Sequence, residues 1–342
     1  MTISVVVPVL NAARTLPACL AALERLDPAP LEIIFVDNGS SDRSRELLHA
    51  FVESRAAPRV HLLAEPKRGA AAARNAGIGP AKGDVIAFTD SDCAVEPGWL
   101  RHLAEPFRDP TVGAVAGRVV PAPGGSIIER FSGLYTLQSP DRPVRHDRWT
   151  PWTGGYPTAN LAVRRTLLQE LNGFDESFVI YGEDYDLCAR IYARGAVIAY
   201  TPAARVSHHH RTTLGGMLRQ AFGFGRSHPC LLRRHAARGL WMDLPGWSFT
   251  WRGCPIPAWV DLAAADKKAL ALLLLGVLYR PALLLLPLYA LWLAVAGRRA
   301  AWAGAARSPA VALALGGLLV LKSAAMTAGR WWGSIRYGGL CL

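Results

Sequence analysis

Short apolar runs and amphipathic stretches alternate along the first 120 residues of the chain. The apolar runs predict strands at residues 3–10, 31–36, 60–64 and 84–89. They are continuous and rich in β-branched residues, which is typical of strands buried on both faces of a parallel sheet. The stretches between them predict helices at residues 15–26, 41–53 and 70–76. Ser41 is the expected cap of the second helix. This β-α-β-α order predicts an α/β fold with a doubly wound, mostly parallel sheet.

The pattern loosens after Val120 into loops rich in Pro, Gly and Trp, and strand and helix signals then resume. Strands are predicted at residues 160–163 and 196–200, and helices at 164–171 and 185–194. We expect three regions: an α/β domain at residues 1–211, a basic and partly amphipathic segment at 212–265, and hydrophobic helices with a basic tail at 266–342.

Charged residues are unevenly distributed along the 342-residue chain. Residues 1–200 hold 21 Lys/Arg and 23 Asp/Glu, whereas residues 201–342 hold 17 Lys/Arg and three acids, a net charge of +14. A basic region indicates an anionic partner, which is a membrane or a nucleic acid. This region is also strongly apolar, which favours a membrane and argues against nucleic acid.

Two apolar segments carry the expectation of membrane attachment. Residues 269–296 are long enough to span, at about 1.5 Å per residue against a hydrocarbon core of about 30 Å. They are interrupted by Arg280-Pro281 and by Pro287. Residues 309–328 are barely long enough and contain Lys322. Basic residues flank both segments, so two spans and a re-entrant hairpin remain open.

The region before these segments carries Arg219, Arg226 and Arg233 at every seventh position, close to one face of a predicted helix. They could meet anionic head groups or simply be solvated. The six cysteines show no paired or metal-binding spacing, which is typical of a reducing compartment. The first apolar run lacks the charged leader of a signal peptide. We therefore expect the α/β domain to be cytoplasmic, at a membrane such as the bacterial inner membrane.

The strongest chemical signal is Asp90-Ser91-Asp92 at the end of the fourth predicted strand. Ligands of doubly wound sheets bind beyond the carboxyl ends of the strands. Carboxylate oxygens are the ligands that Mg²⁺ and Mn²⁺ prefer, and such ions often bridge to phosphates. The sequence therefore predicts a divalent cation at Asp90 and Asp92.

Polar residues also close the second strand, in Asp37-Asn38-Gly39-Ser40-Ser41-Asp42. Their short side chains can bind a base or ribose, although they also suit an ordinary turn and helix cap. The helix that follows Arg68-Gly69 is rich in alanine and ends in Arg74-Asn75-Ala76-Gly77. Its small residues allow a ligand or a neighbouring strand to approach closely.

Two later clusters are further candidates. In Gly182-Glu183-Asp184-Tyr185-Asp186, three acids open a predicted helix; they complement its dipole, and one can act as a general base. In Ser207-His208-His209-His210, alternation along an extended segment sends His208 and His210 to one face and His209 to the other. A histidine of this run could complete the metal site.

Six motifs in order resemble the family 2 inverting glycosyltransferases of GT-A fold, of the membrane-associated bacterial type. The matching residues are Val5-Val6-Val7-Pro8-Val9-Leu10-Asn11, Val36-Asp37-Asn38-Gly39-Ser40-Ser41-Asp42, Ala73-Arg74-Asn75-Ala76-Gly77, Asp90-Ser91-Asp92, Asn172-Gly173-Phe174-Asp175-Glu176 and Gly182-Glu183-Asp184-Tyr185-Asp186-Leu187. The resemblance covers residues 3–211. Two departures concern the acceptor side: Thr158-Ala159-Asn160 replaces Gly-Ala-Asn, and Asn172 precedes Gly173.

The resemblance implies a hexosyltransferase-like enzyme that uses a nucleotide-diphosphate sugar, with the base left open among UDP, GDP and dTDP. It places Pro8, Asn11, Asp37 and Arg74 with Asp90 and Asp92 at the donor. It makes Asp184, in the Glu183-Asp184 pair, the general base. It matches His208, or else His209 or His210, to a metal ligand. The implied acceptor is lipid-linked or a glycan near the membrane.

Three alternatives remain. A nucleotidyltransferase would normally carry a glycine-rich basic loop after the first strand, and Leu10-Asn11-Ala12-Ala13-Arg14 does not provide one. A Rossmann dehydrogenase would carry Gly-x-Gly-x-x-Gly there. A catalytically decayed membrane scaffold is disfavoured because the acids are present.

Overall fold

The computed structural model describes residues 1–54, 59–123, 126–137, 140–151, 155–178, 181–236, 238–244, 246–301 and 309–342. The chain divides into two compact units. The first unit comprises residues 1–124 and 137–210, and the second comprises residues 125–136 and 211–342. Residues 125–136 therefore belong to the second unit, although they precede the predicted domain boundary at residue 211.

The strands are β1 (Ile3–Val9), β2 (Glu32–Asp37), β3 (Arg59–Ala64), β4 (Val85–Phe88), β5 (Cys93–Val95), β6 (Val112–Pro121), β7 (Val144–His146), β8 (Leu161–Arg164), β9 (Val197–His208), β10 (Gly239–Leu244), β11 (Trp247–Trp251), β12 (Pro257–Asp261) and β13 (Leu340–Cys341). The α-helices are α1 (Leu16–Leu23), α2 (Ser44–Glu53), α3 (Ala70–Ile78), α4 (Trp99–Ala104), α5 (Ile127–Tyr135), α6 (Arg165–Glu170), α7 (Glu183–Ala193), α8 (Leu214–His235), α9 (Ala265–Leu278), α10 (Leu285–Ala301) and α11 (Pro309–Tyr337).

The first unit is built on a nine-stranded sheet in the order β3-β2-β1-β4-β8-β6-β9-β5, with β7 also paired to β9. Strands β1 to β4 are mutually parallel, and β6 and β9 run in the same direction. Strands β5, β7 and β8 run against them. The sheet described here is thus mixed but mostly parallel, as predicted.

Apolar side chains fill both faces of this sheet, as the continuous apolar runs predict. One core contains Leu16 of α1, Leu48 of α2 and Trp99 of α4. The other contains Ala73 of α3 and Leu187 of α7. Because β1, β2 and β4 are parallel, their carboxyl ends meet at one edge of the sheet, where the polar motifs follow them.

The predicted cap of the second helix is wrong. Helix α2 begins at Ser44, three residues later than expected. Asp42 Oδ1 accepts hydrogen bonds from the Ser44 backbone N–H at 3.0 Å and from its hydroxyl at 2.5 Å. The Ser41 hydroxyl instead donates to Asn11 Oδ1 at 3.2 Å. Arg43 occupies the N-cap position and makes no side-chain capping bond, so neither Ser41 nor Asp42 is the cap residue.

The second unit combines helices with a four-stranded sheet in the order β11-β10-β12-β13. The sequence analysis did not predict this sheet. Helices α8 and α11 pack closely because glycines face each other: a Cβ at Gly225 would lie 2.0 Å from the Met326 carbonyl oxygen, and one at Gly329 would lie 2.1 Å from that of Phe222.

The predicted interruption of the first apolar segment is present. Helix α9 ends at Leu278, a 3₁₀ turn covers Arg280–Leu284, and α10 begins at Leu285. Pro287 lies in the first turn of α10, where a missing backbone donor costs nothing. Within the described ranges, no helix combines the length and the apolar character needed to cross a bilayer.

Candidate active site

Two carboxylates and a histidine meet at the carboxyl edge of the first sheet. Asp90 and Asp92 follow β4, and His208 ends β9. His208 Nε2 lies 3.4 Å from Asp92 Oδ1. One ligand atom from each of Asp90, Asp92, Cys93 and His208 lies within 4.8 Å of the other three. The structure thus brings together the three residues predicted as metal ligands and adds Cys93.

The histidine run is fixed by its strand pairing. His208 and His210 are 8% and 5% exposed, and their rings lie 4.5 Å apart. His209 is less buried, and its backbone N–H donates to the Asp92 carbonyl oxygen at 2.9 Å. The side chains alternate as expected for an extended segment. Of the three histidines, His208 is the one in this candidate metal-binding cluster of Asp90, Asp92, Cys93 and His208.

The donor set fits a divalent cation. Carboxylate oxygens and an imidazole nitrogen are ligands for Mg²⁺ or Mn²⁺. His208 Nδ1 is buried and has no hydrogen-bond partner among the described residues. Its other nitrogen faces the carboxylates, so the geometry presents one nitrogen and several oxygens to a common point.

Arg74 joins this cluster to the acidic helix. Its guanidinium is 4% exposed and donates to Asp90 Oδ1 and to Glu183 Oε1, both at 2.8 Å. Burial alone would lower the pKa of Arg74, but the carboxylates of Asp90 and Glu183 raise it, so the side chain stays charged. Removing Arg74 would leave buried charges uncompensated, at a cost of roughly 3–5 kcal/mol. This residue was predicted at the nucleotide sugar, and its contacts here position Asp90 and Glu183.

The three acids of helix α7 have different environments. Gly182 precedes the helix with φ 106°, a left-handed conformation that favours glycine. Glu183 is bound by Arg74, and Asp186 is paired with Arg190 at 2.7 Å. Asp184 accepts the Tyr185 backbone N–H at 2.9 Å. No basic side chain of the described residues lies within ion-pair distance of Asp184.

Asp184 has the protonation behaviour of a base near neutral pH. Burial and the neighbouring charge of Glu183 raise its pKa to about 7, while Arg74 opposes the shift. A carboxylate with such a pKa can accept a proton at physiological pH.

The predicted nucleotide-binding residues form a second polar group at the ends of β1 and β2. Pro8 lies in β1 opposite Val36. Asn11 has φ 50° and accepts the Ser41 backbone N–H at 2.8 Å. Asp37 is 2% exposed and accepts from Arg45 NH2 at 2.9 Å. Arg45 was not predicted, because nothing in its spacing from Asp37 distinguishes it from an ordinary surface arginine.

Asn38 was also missed as a structural residue. Its amide donates to the carbonyl oxygens of Glu65 and Lys67, both at 2.8 Å, and its Oδ1 accepts the Gly69 backbone N–H at 2.9 Å. These bonds connect the end of β2 to the start of α3. Asn38 thereby holds the loop that leads to Arg74.

One of the two sequence departures, Asn172, has a structural explanation. Asn172 has φ 54°, which asparagine tolerates better than most residues. A Cβ at Gly173 would lie 2.3 Å from Asn75 Oδ1, so glycine is required there. Asn160 is fully buried and bonds Trp99 Nε1, at 2.8 Å, and the carbonyl oxygens of Arg118 and Ala204. Asn160, the residue that this chain shares with Gly-Ala-Asn, therefore has a structural role here.

Comparisons with known proteins agree with this geometry. Residues 4–171 match the profile of Glycosyl transferase family 2. A pre-mycofactocin glycosyltransferase of Mycobacterium tuberculosis is 34% identical over 239 residues, which cover 68% of this chain and 48% of that protein. The chain thus spans about half the length of this relative. Glycosyltransferase AglE of Haloferax volcanii is 27% identical over 252 residues, covering 70% of this chain and 79% of that protein.

Among solved structures, a mannosyltransferase from Pyrobaculum calidifontis, in complex with GDP-Man and Mn²⁺, aligns with a TM-score of 0.56. It is 22% identical, and the alignment covers 98% of this chain and 86% of that one. This likeness shows the fold, which is the GT-A type that the motifs imply. On the profile match, the relatives and the fold, the chain belongs to the family 2 glycosyltransferases.

Proposed function

We propose that this chain transfers a sugar from a nucleotide-diphosphate sugar to an acceptor hydroxyl, with a divalent cation and with inversion at the anomeric carbon. One observation carries the proposal: buried Arg74 ties Asp90 of the metal-binding cluster to Glu183, next to the Asp184 carboxylate. With a divalent cation bound, the cluster is suited to bind a diphosphate. Asp184 is suited to accept the proton of an acceptor hydroxyl. The structurally similar Pyrobaculum mannosyltransferase was solved in complex with GDP-Man and Mn²⁺. Mn²⁺ is therefore the first cation to test.

In this mechanism Asp90, Asp92 and His208 would hold the cation, which when bound would supply positive charge to offset the negative charge of the departing diphosphate. Asp184 accepts the proton of the acceptor hydroxyl, and the hydroxyl oxygen attacks the anomeric carbon. The nucleoside diphosphate leaves from the opposite face. Asn11 and Asp37 lie at the neighbouring strand ends, where they are proposed to contact the base and ribose.

Inversion follows when the acceptor hydroxyl attacks the anomeric carbon once, from the face opposite the leaving nucleoside diphosphate. We expect the product linkage to have the opposite anomeric configuration from the donor, because a single base serves a single displacement. NMR of the purified product decides this through the coupling constant of the anomeric proton. A retained configuration would contradict the single displacement.

The raised pKa of Asp184 predicts a pH dependence of both rate and stability. The base works only when it is ionised, so kcat/KM should rise with pH around a midpoint near 7. The folded protein holds this proton more tightly than the unfolded chain, so Asp184 lowers stability as pH rises from about 4 to 7. The Tm of Asp184→Asn should therefore rise relative to that of the wild type as the pH increases across that range. A pH-independent Tm difference would show that Asp184 has an ordinary pKa.

We also propose that the second unit attaches the enzyme to the cytoplasmic face of a membrane, where the acceptor is lipid-linked or a nearby glycan. Its net charge is basic, and large apolar side chains are exposed on its helices. On α9, Leu274 and Leu278 are 58% and 85% exposed, and on α11 Trp331 and Trp332 are 54% and 59% exposed. Apolar surface combined with basic residues and tryptophan is typical of interfacial binding.

Vesicle binding tests this attachment. Leu274 and Leu278 lie one turn apart on α9, so Leu274→Glu with Leu278→Glu places two charges on one apolar face. Burial of two leucines contributes about 3–6 kcal/mol, so we expect the double variant to lose more than about 100-fold in affinity for phosphatidylglycerol vesicles. Leu31→Glu is the matched control, because Leu31 is 44% exposed in the first unit. Equal binding of the double variant and the wild type would contradict insertion of this face.

A further inference from the structure

Cys93 occupies a position in the metal-binding cluster that the proposed function does not use. Strand β5 pairs antiparallel with β9, and Cys93 lies directly opposite His208. Residues opposite each other in such a pair project to the same face of the sheet, with Cβ atoms about 4.5–5.5 Å apart. The pairing register therefore sets the thiol beside the imidazole.

Two of the ligand separations match those of a four-coordinate ion, and all four ligand atoms lie within 4.8 Å of one another. The Cys93 Sγ lies 3.7 Å from Asp92 Oδ1, and His208 Nε2 lies 3.4 Å from the same oxygen. In a tetrahedral zinc site, metal–ligand bonds of about 2.0–2.3 Å separate neighbouring ligand atoms by about 3.3–3.8 Å. The two measured separations fall in this range.

The burial of the groups supports a ligand site over a solvated acidic turn. Cys93 is 1% exposed and His208 is 8% exposed. His208 Nδ1 has no hydrogen-bond partner in the described part of the chain, while Nε2 faces the carboxylate. His208 Nε2, the Asp92 carboxylate and the Cys93 thiol therefore each place one ligand atom within 4.8 Å of the others, and two of these three side chains are buried.

The identity of the fourth group changes which ion the site prefers. Two carboxylates and an imidazole suit Mg²⁺ or Mn²⁺, which keep open positions for phosphate oxygens. A thiolate is a soft ligand that favours Zn²⁺ or Co²⁺ in tetrahedral geometry. Four protein ligands around Zn²⁺ complete its coordination, as in structural zinc sites, and leave no position for a diphosphate.

We propose that Cys93 is a fourth metal ligand, which makes this site a high-affinity site for Zn²⁺ and makes Zn²⁺ an inhibitor. On binding, the thiol releases its proton to solvent, and sulfur coordinates the ion together with Asp90, Asp92 and His208. The inhibitory part rests on the proposed function, whereas the ligand set does not. Zn²⁺ would compete with the catalytic cation, and a chelator would reverse the inhibition.

Co²⁺ spectroscopy on the purified full-length chain tests the ligand set without any sugar donor. We expect a near-ultraviolet sulfur-to-metal charge-transfer band that saturates at one equivalent of Co²⁺ and disappears when Zn²⁺ is added. The band should be lost in Cys93→Ser. It should persist in Cys19→Ser, the matched control, because Cys19 is also buried but its thiol donates to the Asp90 backbone carbonyl oxygen, at 3.7 Å, and is not among the four clustered ligand groups.

Zn²⁺ affinity should fall in Cys93→Ser by more than about tenfold, because loss of even an outer partner costs about 10–100-fold. X-ray absorption of the wild-type Zn²⁺ form provides a second measurement that needs no variant. It should show one sulfur at about 2.3 Å. A shell of only nitrogen and oxygen, or a charge-transfer band that survives in Cys93→Ser, would overturn the proposal.

Inhibition is measured separately, as each protein's Mn²⁺-supported rate with added Zn²⁺ relative to its own zinc-free rate. We expect the inhibitory Zn²⁺ concentration to rise more than about tenfold in Cys93→Ser. Inhibition at equal Zn²⁺ concentrations in both proteins would overturn the inhibitory role. A chain that shows the cobalt band but turns over no nucleotide sugar would disprove the proposed function and leave the thiolate site standing.

Discussion

Asp92→Asn is expected to abolish sugar transfer and sharply weaken binding of a nucleoside diphosphate. The substitution keeps the shape of the side chain but removes one negative charge from the metal-binding cluster. Amide oxygens bind hard divalent cations less strongly than carboxylates do. The same carboxylate lies 3.4 Å from His208 Nε2 and 3.7 Å from Cys93 Sγ, so loss of its charge affects both of these neighbours.

Calorimetry with a nucleoside diphosphate and Mn²⁺, beside a rate assay, measures both effects of Asp92→Asn. Asp27→Asn is the matched control, because Asp27 is an exposed partner of Arg101 on the surface of the same unit. Circular dichroism of the two variants separates loss of binding from loss of fold. Full activity of Asp92→Asn, or full wild-type activity in excess chelator, would exclude a catalytic cation at this cluster.

Asp184→Asn is expected to keep donor binding and to lose transfer by roughly 10²–10⁴-fold, the usual contribution of a general base. The three acids of α7 differ enough to make this assignment specific. Glu183 is bound by Arg74 and Asp186 by Arg190. Asp184 has neither partner and has a pKa raised to about 7. An asparagine retains the volume and polarity but cannot accept the proton.

The informative comparison is donor affinity against rate in the same variant. Asp92→Asn should lose both, whereas Asp184→Asn should lose only the rate. If affinity falls with the rate in Asp184→Asn, this residue belongs to the donor site. If neither changes, Glu183 or Asp186 is the base, and the ion pair that holds that residue must open during turnover.

The edge of the first sheet that carries the candidate site could be predicted because its signals are local. Continuous apolar runs identify β1, β2 and β4, and Asp37 and Asp90 come at the ends of two of them. Parallel strands bring those ends to one edge without any knowledge of long-range contacts. The start of α2 was less predictable: Ser41 is a good capping residue by type, but its hydroxyl binds Asn11 and Arg43 occupies the N-cap position.

Residues placed by strand pairing or by long-range ion pairs could not be found this way. Cys93 meets His208 only through the register of β5 with β9, which are 115 residues apart in sequence at this pair. Arg74 joins Asp90 to Glu183 across 16 and 109 residues. Strand Trp247–Trp251 does alternate apolar and polar residues, a strand signal that the sequence analysis missed, although all five of its residues are exposed.

The most direct test of metal-dependent sugar transfer is release of nucleoside diphosphate by the purified full-length chain. The measurement uses a panel of UDP-, GDP- and dTDP-sugars with Mn²⁺, with water as the slow acceptor. We predict that one donor yields free sugar and nucleoside diphosphate, that chelator stops the release, and that Asp92→Asn shows none. Intact donors throughout the panel, release of nucleoside monophosphate or pyrophosphate, or unchanged release in chelator would contradict the account.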